Sequence, residues 1–169
     1  MALVLKDGIA VEDNWSIIDT CDEPVPNDFY VLPLAMWQHQ FETHGPSDGS
    51  HGVWINADED ISNFPAIRCS EALKAESIIA IKFSNFTDGR GFSTARLLRE
   101  RYHYQGELRA FGHIIRDQLF MLQRCGFDAF VLPEHDNLQS ASSALNDFTN
   151  AYQVAVDQPI PLFRRRDLN

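Results

Sequence analysis

From Gly52 onward the chain repeats one pattern four times: a short apolar run followed by a stretch of helical character. The apolar runs cover 53–57, 78–83, 107–111 and 129–132; the helical stretches end near Glu76, then cover 93–101, 114–125 and 138–152. Runs about 25 residues apart, each pair separated by a helix, call for parallel strands joined by right-handed crossovers. The third helix places Ile115, Leu119 and Leu122 on one stripe and stops at Gly126; the fourth stripes Leu138, Leu145, Phe148 and Tyr152. Both stripes are expected to lie on the sheet.

Ahead of the repeat, L-V-L, K-D-G and I-A-V at residues 3–11 read as a β-hairpin, because Asp-Gly suits a turn with positive φ. A strand at 29–32 and a helix at 34–41 follow, then a loop, G-P-S-D-G-S-H-G, at 45–52. The expectation is one α/β domain over 1–156. It holds a parallel sheet of four or five consecutive βα units, half-barrel-like or open doubly wound, with an N-terminal β-hairpin. Residues 1–52 form an acidic hairpin and arm, 53–156 the repeated core, and 157–169 a C-terminal tail. Periodicity fixes the crossovers but not the strand order, so both sheet forms stay open. The unpaired sheet edges point to a homodimer, with the hairpin as the competing cover.

Charge narrows the function. The 169 residues hold 24 acids and 14 bases. The resulting net charge of -10 argues against a nucleic-acid binder, which needs a basic face. Residues 1–63 contain twelve acids and one base, Lys6, so the first third is an acidic surface, either solvating or docking a basic partner. M-A-L-V-L-K-D-G has neither a basic start nor a long apolar run, and no stretch reads as a membrane span, so the expected location is cytoplasmic. Cys21, Cys69 and Cys125 are odd in number and far apart, and His39 and His44 are not spaced for one helix face. Neither disulfide framework, metal site nor resident cofactor is expected.

In a parallel α/β sheet, ligands meet the loops that follow the C-terminal ends of the strands. Here those loops carry Asp88, Arg90, Ser93, Arg96, His113, Arg116, Asp117, Glu134, His135 and Asp136. Gly89 and Gly91 flank Arg90 before a helix with Ser93 as its expected N-cap, the outline of an anion site. An Asp88–Arg90 ion pair bracing a structural turn fits the same residues. Glu107 and Arg109 share one face of an internal strand, where buried charges need partners: each other, Lys82 or a ligand. His113 and His135 follow adjacent strands and are the acid–base candidates. Cys125, at a helix C-terminus, is expected to pack as a small hydrophobe.

The segment F-T-D-G-R-G-F-S-T-A-R-L-L-R-E-R-Y-H-Y-Q-G-E-L-R-A-F-G-H-I-I-R-D-Q-L-F-M-L-Q-R-C-G-F-D-A-F, residues 86–130, resembles the hallmark of the bacterial domain-of-unknown-function 934 family. The V-L-P-L-x-x-W at 31–37, the hairpin with Trp15, and Tyr152-Gln153 extend the resemblance. It implies an oxidoreductase label and a part in assimilatory sulfite reduction, but carries over no catalytic residue. The oxidoreductase label meets no G-x-G-x-x-G after a strand, no cysteine pair and no flavin signature. Two functions stand. One is an accessory protein docking on sulfite reductase or its electron donor through the acidic third and the tail P-L-F-R-R-R-D-L-N. The other is an enzyme or sensor binding a small oxyanion or phosphometabolite at the strand ends.

Overall fold

The computed structural model describes residues 3–19, 29–45, 51–63, 78–133 and 138–165. The strands are β1 (Leu3–Lys6), β2 (Ile9–Glu12), β3 (Ser16–Ile17), β4 (Tyr30–Pro33), β5 (His51–Asn56), β6 (Ile78–Phe83), β7 (Glu107–Gly112) and β8 (Ala129–Phe130). The helices are α1 (Leu34–His44), α2 (Arg90–Glu100), α3 (Leu119–Arg124), α4 (Leu138–Ala144) and α5 (Leu162–Arg165), with short 3-10 turns at Ile61–Asn63 and Arg116–Gln118. The expected helix ending near Glu76 falls largely outside the described residues.

All eight strands form one sheet in the order β2-β1-β8-β7-β6-β5-β4-β3. From β3 to β8 each strand pairs in parallel with the next in sequence. A doubly wound sheet would reverse its order partway; this one never does, so with right-handed crossovers every helix falls on the same face. Packing agrees. Leu32, Val53, Ile55, Ile79, Ile81, Phe83, Leu108 and Ala110 alternate onto one side and share a core with Trp37 of α1, Leu98 of α2, Leu122 of α3 and Ala141 of α4.

The hairpin forms with Asp7 and Gly8 both at positive φ, and β1 pairs antiparallel with β8 (Leu5↔Phe130, Lys6↔Ala129). The hairpin therefore covers the β8 edge and leaves β2 as the outer strand. β2 and β3 stand at opposite edges, yet only residues 13–15 connect them. Four Cα steps reach roughly 14 Å, whereas seven strand spacings cover roughly 34 Å of arc. The sheet must therefore curl, which gives a half-barrel with residues 13–15 strapped across its mouth. On the concave side, Val31, Trp54, Ile78, Ala80 and Phe111 pack together with Trp15 of the strap. Trp54 Nε1 donates to the Ile18 carbonyl at 2.8 Å.

Several expected boundaries move. The parallel set gains β3, a two-residue strand too short to show periodicity. Ile115 is 43% exposed and precedes the helix that buries Leu119 and Leu122. The fourth helix ends at Ala144, so Phe148 and Tyr152, each 65% exposed, leave the expected stripe; Leu145 stays buried. Among the described residues, no helix is long and apolar enough to cross a membrane.

Candidate functional site

β7 places Glu107 and Arg109 on the concave face, as their spacing requires. Arg109 is 2% exposed; its Nε donates to Glu107 Oε1 at 2.8 Å and its Nη1 to Asp13 Oδ2 at 2.8 Å. Lys6 Nζ lies 2.7 Å from Glu107 Oε2, and that contact holds its ammonium pKa above the ordinary value. Two cations and two anions form a neutral network, buried at Arg109, Asp13 and Glu107 and open to solvent at Lys6, that ties β1, β7 and the strap together. Lys82, the other protein partner expected for this pair, instead reaches Asp19 at 3.0 Å and lies over the Trp54 ring.

The D-G-R-G loop takes the braced-turn arrangement. α2 begins at Arg90, with Gly89 as its N-cap, so Ser93 sits in the first turn and not at the cap. Asp88 Oδ1 accepts both the Arg90 backbone N–H, at 3.1 Å, and Arg90 Nε, at 2.9 Å; Arg90 Nη2 donates to Oδ2 at 2.7 Å. These contacts hold the Asp88 pKa down at about 2. The carboxylate thus occupies the donors an external anion would use. The early helix start brings Gly91 onto Phe83, where a Cβ would lie 2.6 Å from the ring. Arg90→Ala and Asp88→Asn should therefore lower the melting temperature slightly and equally. Sulfite, sulfate and phosphate at millimolar concentration should leave wild-type melting unchanged; stabilisation by any of them, lost in Arg90→Ala, contradicts the brace.

The remaining charged candidates are likewise engaged. Arg96 pairs with Glu100 at 2.8 Å on the exposed face of α2. Arg116 bridges to Ser140 and to both carboxylate oxygens of Asp147, each contact at 3.2 Å, pinning α4; Asp117 stays solvent-exposed. His135 lies outside the described residues.

The strand ends of β6, β7 and β8 do open onto one cleft of about 390 Å³, lined among others by Asn85, Phe86, His113, Ile115 and Pro133. Arg90 is not among its lining residues. Gly112, at φ +92°, turns the end of β7 so tightly that a Cβ would lie 2.5 Å from the Phe83 carbonyl oxygen. His113 N–H then donates to that oxygen at 2.7 Å, and its Nδ1 lies 2.8 Å from the Ser84 carbonyl oxygen. Gln118, not among the site residues expected from the sequence, joins two walls: its Nε2 donates to the Phe86 carbonyl at 2.7 Å and its Oε1 accepts the Ile115 N–H at 3.2 Å.

At the opposite pole, Arg99 spends its donors on the carbonyls of Tyr104, Gly106 and Gly126 and on Asp128 Oδ2 at 2.8 Å. Asp128 also accepts the Leu108 N–H, yet burial outweighs these partners and pushes its pKa from 3.8 up to about 6. A raised carboxylate pKa means the folded state binds the proton more tightly than the unfolded one. Its contribution to stability is present below pH 3.8 and lost as pH rises through about 6. The gap corresponds to about 3 kcal/mol. Stability of the wild type relative to Asp128→Asn should therefore rise by up to that amount between pH 7 and pH 4 in urea titrations; a pH-independent difference contradicts the shift.

Burial pushes the Cys125 thiol up, which suits a packing residue and not a nucleophile. Among the described residues no group of three His, Cys, Asp or Glu side chains is placed to hold a metal ion. A family model described as "Bacterial protein of unknown function (DUF934)" matches residues 52–163. No curated protein and no solved structure matches the chain.

Proposed function

The chain belongs to the bacterial DUF934 family, and from that premise we propose that it is an accessory protein of assimilatory sulfite reduction, docking on sulfite reductase or its electron donor. The reading is supported by where charge is spent. Arg90, Arg96, Arg109 and Arg116 are all paired with the protein's own carboxylates. By contrast, Asp7 and Glu12 on the hairpin and Asp58 after β5 are exposed and make no ion pair among the described residues. Unpaired acids on a chain whose first third carries almost no base suit a basic partner surface. A protein that steers a partner by charge should lose affinity as salt rises.

Calorimetric titration into purified sulfite reductase, and separately into its electron donor, tests this. One of them should bind, with affinity falling about tenfold or more between about 0.05 M and 0.5 M salt, and Asp7→Asn/Glu12→Gln should weaken it further. No heat of binding to either protein at low salt contradicts the proposal.

A further inference from the structure

The strand-end cleft has a chemistry of its own that the docking role does not use. We propose that it binds a small, uncharged aromatic or heteroaromatic molecule bearing an N–H or O–H group, which donates to Nε2 of His113.

The cleft is built by backbone constraint. Only glycine fits at position 112, where φ is +92° and the Phe83 carbonyl presses on the missing Cβ. That turn fixes His113 through two contacts, its backbone N–H on Phe83 and its ring on Ser84. A carbonyl oxygen can only accept, so Nδ1 must carry the proton. In the neutral ring Nε2 is then the lone-pair nitrogen, an acceptor with no hydrogen-bond partner among the described residues. The Gln118 amide locks the loops after β6 and β7 to each other, so the walls on either side of the imidazole are held in place.

The lining decides the ligand class. Phe86 and Ile115 are 53% and 43% exposed, two large apolar side chains turned toward solvent at a concave site. Ile114 and Pro133 stand beside Phe86 and Ile115, so the described lining is mainly apolar and favours an uncharged ligand over an ionic one. A volume of about 390 Å³ falls in the lower part of the range of small-molecule pockets. A mainly apolar wall beside an oriented imidazole acceptor is complementary to a flat neutral molecule bearing a donor.

The test compares indole and phenol, which carry the donor, with toluene, which lacks it, by amide chemical-shift titration of the full chain. Indole and phenol should shift the His113, Phe86 and Ile115 amides with dissociation constants near about 1 mM, roughly fivefold to tenfold tighter than toluene. His113→Asn keeps a donor for the Ser84 carbonyl and removes Nε2; it should abolish the preference while leaving weak binding of all three. Ile115→Trp should fill the cleft and weaken all three. The proposal is overturned if none of the three probes shifts those amides in the wild type, or if the preference survives in His113→Asn. Neither result bears on docking, which is read from the acidic surface by a separate titration.

Discussion

Replacing Arg109 with Met should cost about 3–5 kcal/mol of stability, the largest effect expected of any single substitution here. The guanidinium is 2% exposed and faces two carboxylates whose side chains are 7% and 9% exposed, Asp13 and Glu107. Removing it leaves both acids buried, with only Lys6 to compensate Glu107. Burying an unpaired charge is far more expensive than losing an exposed ion pair, which is worth at most about 1 kcal/mol. A typical domain has only about 5–15 kcal/mol in total, so the variant gives up a large share of its stability. Asp13→Asn serves as the milder companion: it removes one charge, preserves the Arg109–Glu107 pair and keeps an acceptor for Arg109. Urea denaturation should rank wild type above Asp13→Asn and Asp13→Asn above Arg109→Met. A loss under about 1 kcal/mol for Arg109→Met would mean that the network is solvated and the strap is not held by it.

Gly112→Ala should be the next most damaging, at about 2–5 kcal/mol, from left-handed backbone strain together with overlap on a neighbouring main chain. The listener to this strain is the Phe83 carbonyl, 2.5 Å from where the Cβ would stand, and main chain cannot swing aside as a side-chain tip can. Gly89→Ala is the control, because nothing lies within 4 Å of a Cβ there. Thermal unfolding should show a large drop for the first and little change for the second. Equal, small effects would show that the end of β7 is pliable and that His113 is not held in register.

The sequence made the repeat, the hairpin and the face shared by Glu107 and Arg109 legible, because each follows from local spacing. Strand order was not legible: a crossover of given length can lead to either neighbour, and only the monotonic pairing from β3 to β8 selects the half-barrel. Asp13 could not be singled out among twelve acids, since its role comes from a partner 96 residues away. Ser93 was the natural cap by residue type, but Asp88 accepts the Arg90 N–H and the helix starts earlier, where Gly91 can rest on Phe83. The fourth helix stops short of Phe148 in a turn at Asn146 and Asp147, whose carboxylate Arg116 takes up. Of the candidate site, His113 and the strand-end location were readable from the pattern. The neutralisation of the arginines was not, because a list of charges does not say which will pair.

Tagged protein purified from a native bacterial host growing on sulfate, with bound proteins identified by mass spectrometry, tests the accessory role most directly. The account predicts that sulfite reductase or its electron donor is enriched with the wild type at low salt and released by high salt, and that Asp7→Asn/Glu12→Gln reduces the enrichment. Equal recovery of both proteins with an untagged control, from cells that express them, would contradict it.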